Sequence, residues 1–451
     1  MRNPRAPWRR GGGSPRGADD AGAILIMVLV VLVLFGILGA GLLDLGSSDG
    51  AETGKAVSAA QAFWCAEAGI QHARFLAQKA RKPCASIPVA TSPSGYLYGS
   101  NALSGTTSRG GYSVDVLDDP AWTNAVHSVK RYIIRATGTS PGGATVVLTQ
   151  RAEIQTYASY MHASNLERQP SGSPIYFGTG DILDGPVYIN DQINIYGTPQ
   201  FLQLVSSASA SVNYTSGGTV AVFQGGLVLN APALDVSGQF SSDHITDVKN
   251  QAMSGGLALT GNYRFVFNAN GSFTYRPVSG GAAVTNYLAS LNSGRGAIYV
   301  NGAAYVQGSV NGTVTLAAQD TIYIPSNIVY ASATSPDPWS ALFNLAAVDD
   351  QLGLMASNAV QVTSSQAITI HATIMVTTGD NGFNASYWNQ SIGNPYINLF
   401  GGVSQYRRGV VGQASGTGFR KNYKFDQRFL SDAPPNFPYS VYVFSQWKRS
   451  G

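Results

Sequence analysis

The sequence predicts a mostly β protein: a single N-terminal transmembrane α-helix, a small antiparallel meander, then a right-handed parallel β-helix, with a β-sandwich as the alternative for the last part. Three observations carry this. Residues 21–43 hold no charged side chain. Charged residues make up 12 % of the chain, against a usual ~25 %, while glycine numbers 52 and tyrosine 23. Beyond residue 296, branched apolar residues recur every eight positions between glycine turns.

The uncharged run spans about 35 Å as a helix, enough for a hydrocarbon core of about 30 Å. Arg2, Arg5, Arg9, Arg10 and Arg16 precede it, with only Asp19 and Asp20 on the acidic side. The positive-inside bias keeps that end in the cytoplasm and exports everything beyond Leu45. The run is too long for the apolar region of a cleaved secretory signal, and no small-x-small site closes it. Residues 1–22 are therefore read as a basic leader and 23–82 as the transmembrane helix with its exported continuation. The expected location is the inner membrane, single-pass, with the C-terminal part periplasmic or extracellular.

Asp49 lies three residues before Glu52, an approximate capping-box spacing that predicts a fresh helix start after Gly46-Ser47-Ser48. Ala56, Ala59, Phe63, Ala66, Ile70, Ala73 and Ala77 then recur at spacings of three and four, with Lys55, Glu67, Arg74, Lys79 and Arg81 off that stripe. Small side chains let a sheet or a second helix approach the axis closely. Pro83 ends the pattern. Two cysteines make no disulfide framework, and Cys65 is expected inside the helix interface.

The basic leader, the entry Gly22-Ala23-Ile24-Leu25-Ile26 and the block Ala62-Phe63-Trp64-Cys65-Ala66-Glu67-Ala68-Gly69 resemble the N-terminal region of PilX-like minor pilins. The likeness ends near Ala80. It implies a long helix docked on a meander and prepilin-type cleavage between Gly22 and Ala23. Ala66, Ala68 and Gly69 leave room for the Glu67 carboxylate where the helix meets the sheet, so these four are the expected helix-docking residues. The resemblance also implies partners among other pilins or pilus assembly proteins. Met27 departs from the pattern, because type IV pilins carry glutamate at that mature position.

Strand signals at 112–117, 131–138 and 144–157, with Ser140-Pro141-Gly142-Gly143 as a hairpin connection, place a small antiparallel sheet within 83–160. The Pro/Ser/Gly stretch 88–108 carries no strand signal. Residues 161–451 are the predicted β-helix. Ile298, Val306, Val314 and Ile322 share one register, and Val300, Gly308, Leu316 and Ile324 follow two positions later. Val360, Ile368 and Val376 repeat the interval, joined by Val362 and Ile370. A three-sided coil of about 24 residues would stack these into one core. The period fades around 206–291, read as an insertion with strands at 219–223 and 263–267. Segments 185–191, 302–324, 352–356, 370–372 and 423–428, with the proline-rich 434–438, resemble an uncharacterised β-helical domain family found behind PilX-like N-termini in bacterial envelope proteins. That resemblance implies location and fold, not chemistry.

No catalytic residue, cofactor or metal site is predicted. His72, His127, His162, His244 and His371 are scattered without a paired spacing, and His371 between Ile370 and Ala372 reads as a satisfied core histidine. Gly50, Gly54 and Lys55 miss a phosphate loop by one residue, with Ala56 where a hydroxyl should hold magnesium. Net charge is +4 with five arginines in the leader, so the exported part is near neutral and no nucleic-acid partner is expected. Arg407, Arg408, Arg420, Lys421 and Tyr423 mix cations with an aromatic ring and are the candidate ligand contacts, with surface polysaccharide as the partner. The competing reading closes the last coil with Asp426, Arg428 and the Pro434-Pro435 turn. The expected function is a non-enzymatic, membrane-anchored envelope protein resembling a minor pilin, structural or adhesive, in a type IV pilus or pseudopilus-like assembly. The alternative is a membrane-tethered carbohydrate-binding or carbohydrate-active β-helix.

Overall fold

The computed structural model describes residues 19–125, 127–215, 222–234 and 243–450. Most of the basic leader and part of the expected strand at 219–223 lie outside the described residues; of Gly22 and Ala23 only the helical backbone is described. The first element is helix α1, Asp19–Ala80, 62 residues without interruption. The fresh start expected after Gly46-Ser47-Ser48 does not occur. One glycine costs a helix only about 1 kcal/mol, which leucine and alanine on either side offset. Ser47 Oγ donates to the Asp44 carbonyl at 2.9 Å, so the serine bonds within the helix and does not cap a new one. The helix ends where Arg81 turns left-handed at φ 49° and returns its N–H to the Ala77 carbonyl at 2.9 Å. From Leu25 onward α1 is long and apolar enough to cross a membrane, and its most apolar stretch is wholly unburied.

Four antiparallel strands follow: β1, Gly99–Thr107; β2, Gly110–Asp118; β3, Lys130–Thr139; and β4, Thr145–Thr156. The last three sit where alternation placed them, and the Ser140–Ala144 turn closes the β3–β4 hairpin. β1 carried no signal because serine, glycine and threonine dominate it, with only Ala102 and Leu103 buried. Strands Tyr439–Phe444 and Lys448–Ser450 both pair with β4. The end of the chain therefore returns to the first sheet and does not finish the predicted β-helix. The physical reason is the free edge of β4, which a returning strand covers. Helix α1 lies across this sheet, burying Ala66, Ile70, Ala73 and Ala77 against Val114, Ile134, Ala136 and Leu148.

The second sheet is predominantly parallel and holds most of the remaining strands. Ile298, Val306, Val314 and Ile322 are all fully buried and lie in four successive strands. The eight-residue step separates strands along the chain, not neighbours in the stack. Ile298 stands beside Leu316, Leu316 beside Leu354, Leu354 beside Ile374, and Ile374 beside Val403. The stacking intervals are 18, 38, 20 and 29 residues, in place of a constant coil near 24. Loops of unequal length leave the face and return, which a sequence period cannot register. Asparagines stack from layer to layer, Asn422 on Asn398 within paired strands at 2.8 Å and Asn381 on Asn358 between turns at 3.1 Å.

Residues 206–291 mix two patterns. Leu257–Thr260 and Tyr263–Phe267 join the parallel stack beside Arg295–Asn301 and Ala304–Val310, while Tyr263–Phe267 and Val284–Tyr287 each pair antiparallel with Ser272–Pro277. Helix α2, Asp243–Met253, buries Ile245, Val248 and Ala252. Strand β5, His162–Leu166, pairs with Tyr396–Arg407 on one side and Val187–Ile189 on the other. The chain thus enters and leaves this stack at its middle.

Candidate functional site

The docking face of α1 is built from small residues. Ala66 and Gly69 are buried, and Glu67 and Ala68 lie half-buried at the rim. A Cβ added at Gly69 would meet Tyr112, Val114 and Ala136 at 3.1 to 3.2 Å. Opposite, a Cβ on Gly138 of β3 would strike the Ala62 carbonyl oxygen and the Ala66 nitrogen. The helix therefore rests almost backbone to backbone on the sheet. Ala56 is exposed and Ala59 and Phe63 are half-buried, so the buried line runs through Ala62, Ala66, Ala73 and Ala77, because the sheet begins only opposite Ser58, whose hydroxyl meets Ser140 Oγ at 2.6 Å. Glu67 Oε1 accepts from Gln71 Nε2 at 2.7 Å, while its Oε2 is buried without a partner. Cys65 is buried beside Thr107 Oγ1 at 3.6 Å.

The basic and aromatic group near the carboxyl end faces largely inward. Arg408 is 2 % exposed; its Nη1 donates to Glu167 Oε2 at 2.5 Å, and its guanidinium lies 3.6 Å from the centre of the Phe177 ring. Lys421 Nζ donates to Asp181 Oδ2 at 2.7 Å, and Tyr423 is buried. Arg407 pairs with Asp380 at 2.8 Å, and Arg420 lies half-buried beside Gly180. Arg408, Lys421 and Tyr423 are thus not surface contacts. Both buried ion pairs cross the seam where the first strands of the stack meet the last, about 240 residues apart in sequence.

Glu167 is the residue that sequence reading missed, since nothing local links it to Arg408. It also accepts from Ser164 Oγ and faces His162 Nε2 at 3.2 Å. Burial alone would raise its carboxyl, but the Arg408 charge and the His162 contact overcome that and hold it at about 2. Burial lowers His162 and Lys421. Every charged group in this cluster is committed to a partner, which suits a structural staple more than a reactive centre.

Several open cavities lie on the parallel stack, one of about 320 Å³ beside Asp181, Arg420 and Lys421. Another of about 400 Å³ is lined by Tyr323, Asn358, Gln361, Asn384 and Trp388. A third of about 330 Å³ is lined by Arg264, Tyr275, Arg276, Tyr305 and Gln307. Among the described residues no group of three or more His, Cys, Asp or Glu is placed to hold a metal ion.

A family profile described as a domain of unknown function, DUF4900, matches residues 125–210. No curated protein matches the chain. Among solved structures, the competence-associated pilin ComZ from Thermus thermophilus is similar over 87 % of this chain and 97 % of that chain, with 10 % identity and a TM-score of 0.30.

Proposed function

We propose that this chain is a membrane-anchored, pilin-like envelope subunit with a structural, non-enzymatic role in a type IV pilus or pseudopilus-like assembly. One observation carries the reading. A single unbroken helix leaves its first half apolar and exposed, and lays an alanine face of its second half on an antiparallel sheet. An exposed apolar helix needs lipid or like helices around it. The PilX-like entry at Gly22-Ala23 and the block 62–69 support the same reading, and the leader arginines orient the rest of the chain outward.

The parallel ladders support reading the larger sheet as a β-helix carried outside the inner membrane on the helix and its small sheet. Mass spectrometry of the protein purified from membranes tests the proposal. The expected mature terminus is Ala23, released by cleavage after Gly22. A membrane-embedded product that retains the whole leader would overturn the pilin reading in favour of a plain anchor.

A further inference from the structure

Five side chains form an outward row along one ladder of the parallel stack. Arg264 pairs in register with Tyr305, Tyr305 with Tyr323, Tyr323 with Gln361, and Gln361 with Asn384. Their chain neighbours Phe265, Val306, Ile322, Val360 and Phe383 are all buried, so the strand alternation turns the five outward. The Tyr305 and Tyr323 rings stack with centres 4.7 Å apart, and the Arg264 guanidinium covers Tyr305 at 4.7 Å. At a ladder step of about 4.8 Å the row is about 19 Å long. It connects two of the cavities: Arg264 and Tyr305 line one, and Tyr323, Gln361 and Asn384 line the other.

The stacked rings occupy each other's faces, so the row presents ring edges, hydroxyls and amides. Asn384 donates through Nδ2 to the Asn381 carbonyl at 3.1 Å, while its Oδ1 is buried without a partner. A turn of the amide that brings this oxygen out to the groove would let it accept from a donating ligand. We infer that this row is a binding groove for a linear β-linked polysaccharide. Each sugar of such a chain advances by about one ladder step, with successive sugars turned over so that ring faces and hydroxyl edges alternate along the row, and Trp388, lining the same cavity as Asn384, offers an aromatic surface for a sugar. Nucleic acid fits poorly. Arg264 and Arg276 lie at one end, and at the other Arg408 is buried against Glu167 and Arg407 is paired with Asp380, so no free basic stripe follows the groove.

The inference stands apart from whether α1 enters a filament, so either can fail alone. Full-length protein in detergent micelles, titrated with cellohexaose, chitohexaose and xylohexaose, tests it. At least one hexasaccharide should bind, and affinity should rise from disaccharide to pentasaccharide and then level off. Tyr323→Ala and Gln361→Ala should each weaken binding about tenfold, with an unchanged melting temperature. Tyr214→Ala, exposed away from the row, should bind like the parent. Binding of none of the three, equal binding by the row variants, or row-dependent binding of duplex DNA in place of the glycans would overturn the inference.

Discussion

At the residue scale, His371 shows how a histidine in a β core is held neutral. It is fully buried, and its Nδ1 accepts from the Tyr330 backbone N–H at 3.0 Å. The proton must then sit on Nε2, which donates to the Pro336 carbonyl at 2.9 Å. Tyr330, Phe343 and Phe400 rings surround it at 5.2 to 6.1 Å. Burial first, and the Arg428 charge as well, pull its pKa from the ordinary 6.5 to about 4, against the Pro336 bond. The folded protein thus binds fewer protons than the unfolded chain between those values. Its contribution is complete above pH 6.5 and is lost as pH falls toward 4, amounting to about 3 kcal/mol. Glu167, with its carboxyl held at about 2, loses its contribution only below pH 4.5, at the acid end of this window, while His162, also lowered by burial, adds to the loss with the same sign. The melting temperature should fall from pH 7 to pH 4.5. His371→Gln should melt lower at pH 7 but with a shallower slope; a parallel slope would mean that the proton is taken up elsewhere.

At the scale of elements, helix and sheet meet through the absence of side chains. Gly138 has no positive φ to explain it; the reason for glycine is the α1 backbone directly above. Gly138→Ala should lift the helix and cost about 1–3 kcal/mol, as overpacking does. Hydrogen exchange checks this: amides of Val114, Val116 and Leu148 should lose protection, while Leu354 in the other sheet keeps its own. Unchanged exchange at all four would mean the helix adjusts without strain. Much of this scale was legible. Tyr112 to Leu117 and Arg131 to Gly138 alternate because one face is buried, and the alanine spacing marks a helix that something approaches closely. The unbroken middle of α1 was not legible, since Gly46 and Ser47 signal a turn anywhere except inside a helix with strong formers on both sides. The first strand was hidden for the opposite reason, having almost no apolar side chains to alternate.

For the whole molecule, the decisive contacts join residues hundreds of positions apart. Arg408 was visible as a cation near aromatic residues, but its partner Glu167 lies 241 residues earlier and no local pattern ties the two. The eight-residue register named core residues correctly yet could not say which strands stack, because loop lengths set that. The return of the chain end to β4 was hidden likewise, and it has a measurable consequence. Tyr442 in the returning strand donates to the Lys82 carbonyl at 2.7 Å and sits 3.3 Å from Cys84 Sγ, closing the core where α1 ends. Burial pushes the Cys84 thiol up to about 12, and no part of it reaches solvent. Since the thiolate is the nucleophile, Cys84 should resist a maleimide at pH 7.5. Truncation after Pro438 removes both returning strands, uncovering the β4 edge and this thiol. In a Cys65→Ala background, which isolates the signal, labelling of the truncated chain should quicken by at least an order of magnitude. Amides around Leu354 should stay protected, since the parallel stack does not depend on those strands for its own pairing. A truncated chain whose Cys84 stays inert would show that helix α1 and the four-stranded meander seal this core without the carboxyl-terminal strands.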